Sequence, residues 1–205
     1  MITCPENLGG RSAESVVEQA IAGGARAVQL RDKNADDAAL LSQARALLTV
    51  TRRHRVPLII NDRVEVARKA GADGVHLGQA DGSLEDARRA LGEDAIIGRS
   101  THDFLQAFAA DQEGFDYIGV GPIYATPTKP GRPPVGLKFV QEVAQKLTVP
   151  FVAIGGIDIG NLSEVLGAGA EQVAVVRAVM AQTDPKTAAQ QLINILTGKT
   201  EGGRP

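Results

Sequence analysis

Eight short β-rich runs alternate with eight helical patterns along this chain, and no other feature narrows the fold as far. The strand-like runs are 1–4 (MITC), 26–30 (RAVQL), 57–60 (PLII), 73–77 (DGVHL), 95–98 (AIIG), 116–120 (DYIGV), 150–154 (PFVAI) and 171–176 (EQVAVV). Helical patterns occupy 12–23, 36–54, 63–70, 83–91, 102–113, 136–147, 159–168 and 185–197. Ser12, Asp103 and Asp184–Pro185 stand where helices start. Gly23, Gly71, Gly114 and Gly169 stand where they end. Strands separated by helices pair in parallel through right-handed crossovers. Eight such units predict an α/β protein, a single-domain (β/α)8 TIM barrel. An open doubly wound sheet is the competing topology, but no G-x-G-x-x-G follows the first run.

A faint repeat favours the barrel. GGARAVQL (23–30), AGADGVHL (70–77), EGFDYIGV (113–120) and AGAEQVAV (168–175) share one plan: a glycine near a helix end, a short polar step, then an apolar strand. Each recurrence spans two βα units.

Composition sets outer limits. An apolar fraction of 43% supports a substantial core and is too high for a disordered chain. The formal charge of −2 provides no general basic field for nucleic acid, so contacts to an anion must be local. The single cysteine, Cys4, excludes an intrachain disulfide framework and reads as a small strand residue. No apolar run approaches the roughly 18 residues of a membrane span, and no signal peptide is visible. These features predict a soluble, cytoplasmic protein without membrane or nucleic-acid partners. The barrel is expected over 1–198, with 199–205 a flexible polar tail; the oligomeric state is left open, a homo-oligomer included.

Reactive groups of such barrels collect at the C-terminal ends of the strands. Run 26–30 leads into Gln29, Arg31 and Lys33, which share one face if the extended geometry persists. Run 57–60 ends in Asn61–Asp62 and run 73–77 leads to Asp81. Run 95–98 ends in Ser100–Thr101, and run 150–154 ends in Gly155–Gly156. Asp62 and Asp81 lie on neighbouring loops, where two carboxylates with room for water suit Mg²⁺; each also reads as part of a helix-starting turn. Arg31, Lys33 and Lys129 face the same mouth, and cations beside metal-binding carboxylates describe a diphosphate site. Residues 121–136 (GPIYATPTKPGRPPVG) form a long proline-rich stretch with hydroxyls at Thr126 and Thr128, read as a substrate lid. Gly155–Gly156 is expected to open a helix whose N–H groups hold a phosphate, with Arg177 facing the same anion. His76 reads as a satisfied core histidine, and His54 and His102 as surface or cap residues.

With VQLRDK, IINDRVEVARKAGADGVHLGQAD, IIGRSTHD, DYIGVGPIYATPTKPGRPPVGL and FVAIGGI in this order, the sequence resembles the thiamine phosphate synthase family. The resemblance implies a (β/α)8 barrel and a Mg²⁺-assisted transferase reaction. A pyrimidine diphosphate loses pyrophosphate by a dissociative path, and a thiazole phosphate takes its place. It implies that Arg31, Lys33, Asn61 and Lys129 bind the diphosphate and that Asp62 and Asp81 hold Mg²⁺. Gln29 and Ser100 would orient the pyrimidine, and Arg31, Lys33, Ser100 and Lys129 would act in catalysis. Thr126, Thr128, Gly156, Val176 and Arg177 would contact the thiazole phosphate. Arg177 departs from the family pattern, where many members carry serine. Two rivals remain at this point: a thiazole tautomerase on the same scaffold, and a barrel that binds thiamine precursors without turnover.

Overall fold

Sequential strands pair directly with one another, as right-handed βαβ crossovers require. The structure is a computed structural model that describes residues 1–126, 131 and 133–198. Its strands are β1 (Val28–Leu30), β2 (Leu58–Asn61), β3 (Gly74–Leu77), β4 (Ile96–Thr101), β5 (Tyr117–Val120), β6 (Phe151–Ile154) and β7 (Val173–Ala174). They form one parallel seven-stranded sheet in chain order. The helices are α1 (Ala13–Ala22), α2 (Asp37–His54), α3 (Val64–Ala70), α4 (Leu84–Leu91), α5 (Phe104–Glu113), α6 (Gly136–Lys146), α7 (Leu162–Gly167), α8 (Arg177–Met180) and α9 (Pro185–Leu196).

The run expected as a strand at 1–4 is a single bridge between Ile2 and Gln29. Pro5 ends it, because its ring removes the next N–H and the chain turns into a short 3₁₀ helix at Pro5–Asn7. The bridge has bonds on both flanks. Thr3 N–H donates to the Gln29 carbonyl at 2.8 Å, and Ile2 N–H donates to the Val175 carbonyl at 3.0 Å. The last strand is also shorter than expected. It stops at Ala174, and the chain enters α8, a helix that the hydrophobic pattern did not mark.

Helix starts follow local chemistry. The side chains of Ser12, Asp36, Ser83, Asp103 and Asp184 each accept a backbone N–H of the first turn. Along α2, buried Leu40, Ala44, Leu47 and Thr51 recur at helical spacing and face the sheet. The polar step of the repeat also has a physical role. Asp73 accepts the Leu58 N–H at 2.8 Å, and Asp116 accepts the Ile97 N–H at 2.6 Å. Each aspartate thereby satisfies an amide at the start of the preceding strand, the first of β2 and the second of β4.

Strand alternation separates two layers. Val28, Leu30, Leu58, Ile60, Val75, Leu77 and Ile97 are buried in the core. Residues of the opposite parity, including Gln29, Asn61, His76 and Tyr117, face a cavity on the other side. Among the described residues, no helix is long and apolar enough to cross a membrane.

Candidate active site

The cavity has a volume of about 370 Å³ and opens at the C-terminal ends of the strands. Gln29 and Arg31 reach it from β1, and Asn61 from the end of β2. Ser100 joins them from β4, Thr126 and Gly156 from the loops after β5 and β6, and Val176–Arg177 from the start of α8. The structure therefore brings eight of the expected positions to one space. Thr128 and Lys129 lie outside the described residues, as do 127, 130 and 132 of the expected lid.

Arg31 carries a distinctive signature. Its backbone N–H donates to Thr3 Oγ1 at 3.1 Å, while its side-chain Nε is buried and, among the described residues, meets no hydrogen-bond partner. A guanidinium N–H left this way at a cavity wall is prepared for an anion. Lys33 is placed differently from the strand-alternation expectation. Because β1 ends at Leu30, extended geometry does not carry Lys33 to the cavity wall. The side chain instead stands exposed at the rim, its Nζ 3.4 Å from Asp62 Oδ2.

Asp62 and Asp81 meet, as neighbouring loops allow. Asp62 adopts a left-handed backbone at φ 63° and donates its N–H to the His76 carbonyl at 2.9 Å. Neither aspartate is a helix cap: Arg63 holds that position for α3 and Ser83 for α4. Burial pushes the Asp62 carboxyl above the usual carboxylate range, the hydrogen bond and charge of Asp81 add to the rise, and Lys33 opposes it. Asp81 is held by the Gly78 N–H at 2.7 Å. Its loop is stapled from β4, where Arg99 donates to the carbonyls of Gly82 at 2.8 Å and Gln79 at 3.3 Å. Two crowded carboxylates form an all-oxygen donor pair that a hard divalent cation would relieve. Among the described residues, no group of three His, Cys, Asp or Glu side chains could hold a metal. Mg²⁺ suits such a pair, since it keeps several waters and uses one or two protein carboxylates.

The wall opposite Arg31 contains residues that sequence reading placed elsewhere. His76 Nε2 lies 2.8 Å from Ser100 Oγ, and its Nδ1 lies 2.9 Å from the Tyr117 hydroxyl. His76 is buried, as expected of a core histidine, but it is bonded to a site residue. Tyr117 was not singled out. Its signal was parity, since it shares the cavity-facing register row with Asn61 and His76. His102 is no surface residue either: it lines the cavity, and its Nδ1 lies 2.5 Å from the Gly121 carbonyl.

Gly155–Gly156 does not open a helix, because α7 begins only at Leu162. The pair is glycine for space and backbone. Both have positive φ, and a Cβ on Gly155 would lie 2.5 Å from Pro122 Cα, one on Gly156 2.7 Å from Tyr124 Cβ. This close approach lets Ile123 N–H donate to Ile154 and Tyr124 N–H donate to Gly155. Arg177 is the exposed first residue of α8 rather than a strand end. The far end of α8 is held by Arg11, which donates to the carbonyls of Met180 at 2.7 Å and Gln182 at 2.6 Å.

Comparison with known proteins agrees with this geometry. A family model described as thiamine monophosphate synthase matches residues 1–179. The thiamine-phosphate synthase of Thermosynechococcus vestitus is 48% identical over 182 residues, covering 89% of this chain and 52% of that protein. This chain thus spans about half the length of its cyanobacterial relatives. The thiamine-phosphate synthase of Thermus thermophilus is also 48% identical, and 87% of its length is matched. Among solved structures, thiamine phosphate pyrophosphorylase from Pyrococcus furiosus superposes with a TM-score of 0.87 at 33% identity, covering 97% of this chain and 94% of that one. A geranylgeranylglyceryl phosphate synthase from Thermoplasma acidophilum, at TM-score 0.73 and 17% identity, shares the fold alone. The chain belongs to the thiamine monophosphate synthase family.

Proposed function

We propose that this chain is a thiamine phosphate synthase acting on small molecules in the cytoplasm. It would join 4-amino-2-methyl-5-hydroxymethylpyrimidine diphosphate to 4-methyl-5-(2-phosphoethyl)thiazole, releasing pyrophosphate. The observation that carries this reading is the buried Nε of Arg31, without a hydrogen-bond partner among the described residues and set at a cavity wall with Asn61, while the Asp62–Asp81 pair and Lys33 stand at its rim. Gln29, Arg31, Asn61 and Ser100 of the expected pyrimidine diphosphate subsite, and Thr126, Gly156, Val176 and Arg177 of the expected thiazole phosphate subsite, line this cavity, which supports the reading.

In this reading Arg31, Lys33, Asn61 and Lys129 grip the diphosphate, and their positive groups stabilise the charge that develops as the carbon–oxygen bond breaks. Gln29 and Ser100 orient the pyrimidine, whose own electrons stabilise the methylene cation. Thr126, Thr128, Gly156, Val176 and Arg177 hold the thiazole phosphate so that its ring nitrogen faces that carbon. Asp62 and Asp81 would hold Mg²⁺, which supplies further charge neutralisation to the leaving diphosphate when bound. Arg177 gives the phosphate a charged partner where a hydroxyl is usual in the family. We also read the bonds from the 1–3 segment to Gln29 and Val175 as the seam of a closed (β/α)8 barrel.

The test is direct. Purified protein is incubated with both substrates and Mg²⁺, and thiamine phosphate and pyrophosphate are quantified. Equal amounts of both products, dependent on each component, are expected. Isomerisation of a thiazole without any requirement for the pyrimidine would indicate the tautomerase instead. Binding of both substrates without turnover would indicate a binding protein.

A further inference from the structure

Tyr117, His76 and Ser100 form a directed line of hydrogen bonds. They come from different strands, and two glycines make room for them. His76 on β3 pairs in register with Gly98 on β4, which pairs with Tyr117 on β5. A Cβ on Gly98 would lie 2.2 Å from Tyr117 Cζ, so only a glycine lets the phenol lie across β4 toward His76. A Cβ on Gly119 would come within 3.2 Å of His76 Cε1. The rings of His76 and Tyr117 are then 5.4 Å apart, and the imidazole bridges Tyr117 to Ser100.

The polarity of this line follows from its first members. Burial holds the Tyr117 phenol above its ordinary range, so it keeps its proton. Among the described residues its hydroxyl lies 2.9 Å from His76 Nδ1, the acceptor at which the phenol directs its one hydrogen. An imidazole that accepts at Nδ1 carries its proton on Nε2 and donates it to Ser100 Oγ. Ser100 then accepts from behind, and its own hydrogen is left for the cavity.

We infer that Tyr117 and His76 are positioning residues that aim the Ser100 hydroxyl hydrogen into the cavity, so that Ser100 selects a hydrogen-bond acceptor on the bound heterocycle. This rests on the reading that the cavity binds an aminopyrimidine. It deepens that reading by assigning Ser100 to an sp² ring nitrogen as the group it recognises. A ligand presenting only an N–H at that point would meet a hydrogen facing a hydrogen. Tyr117 and His76 act through Ser100.

The first test is ¹⁵N NMR of the histidine side chains in the full-length free protein, with the His76 signals assigned by their loss in His76→Gln. A bare Nδ1 and a protonated Nε2 are expected. Protonation at Nδ1, or at both nitrogens, overturns the inference. This measurement does not depend on turnover, so it stands apart from failure of the synthase reading, which would show as a wild-type chain making no thiamine phosphate. The second test uses Tyr117→Phe, which keeps the ring. KM for the pyrimidine diphosphate should rise by about tenfold, the size of one hydrogen bond, with KM for the thiazole phosphate unchanged. In a Ser100→Ala background the same substitution should have no further effect. An equal penalty in both backgrounds overturns the claim that Tyr117 acts through Ser100.

Discussion

Gly98→Ala tests the packing of the site wall without removing any polar group. Gly98 does not adopt a positive φ, so the backbone itself accepts alanine. The added methyl would lie 2.2, 2.4 and 2.6 Å from Cζ, Cε1 and the hydroxyl oxygen of Tyr117. Carbon atoms pack at roughly 3.5–4.0 Å, so the phenol must retreat by about 1 Å or more. Tyr117 and His76 are now 2.9 Å apart, and such a retreat breaks their hydrogen bond. Overpacking costs about 1–3 kcal/mol, and the lost bond about 0.5–1.5 kcal/mol. Restricting the unfolded chain returns about 0.4–1 kcal/mol. The net expectation is a loss of about 0.5–4 kcal/mol, read by urea denaturation followed by circular dichroism. Adding Tyr117→Leu removes the colliding ring tip, so the double variant should be more stable than the sum of the single effects implies, by about 1 kcal/mol. A neutral or stabilising Gly98→Ala, or strict additivity in the double variant, would refute the steric argument.

Three further outcomes are expected. Arg31→Ala should lower turnover by about 10²–10³-fold, as for loss of a transition-state donor, with thermal stability retained because, among the described residues, Nε has no hydrogen-bond partner to lose; near-wild-type steady-state rates would reassign Arg31 to structure. Mg²⁺ at a hundred times its dissociation constant should stabilise the wild type by about 2.7 kcal/mol, seen as a raised melting temperature, and Asp62→Ala should abolish both this shift and Mg²⁺-dependent turnover. An unchanged shift in that variant would place the ion elsewhere. Asp116→Ala leaves the Ile97 amide without its acceptor and removes the carboxylate from Arg88 Nη2, so calorimetry should show a loss of about 1–3 kcal/mol while KM for both substrates stays fixed; a changed KM would tie Asp116 to the site.

Several features were legible in the residues alone. The alternation of strand and helix follows from local periodicity, because side chains repeat every two residues on a strand and every 3.6 on a helix. Caps such as Asp103 and Asp184 are equally local, since each needs only its own first turn. Parallel pairing in chain order follows from the helices between the strands. Gln29, Asn61 and Ser100 could be assigned to the mouth because each sits at or near the end of such a strand.

Other features depended on contacts between distant segments. Lys33 pairs with Asp62 at the rim because β1 stops three residues earlier, and strand length is set by what the neighbouring strand offers. Gly155–Gly156 looked like a helix start, yet the glycines serve the close passage of Pro122 and Tyr124, a segment more than thirty residues away. His76 looked like core and Tyr117 was not singled out, because nothing in their own strands marks them as polar partners. Only their juxtaposition across Gly98 joins them to Ser100. Periodicity and capping are written within a turn or two of chain, so the sequence by itself determined the elements, their order and the end at which chemistry gathers. Register, close approach and burial arise only when strands lie side by side, so the tertiary structure alone decided which side chains touch, which carboxyl is raised and which arginine nitrogen meets no hydrogen-bond partner among the described residues.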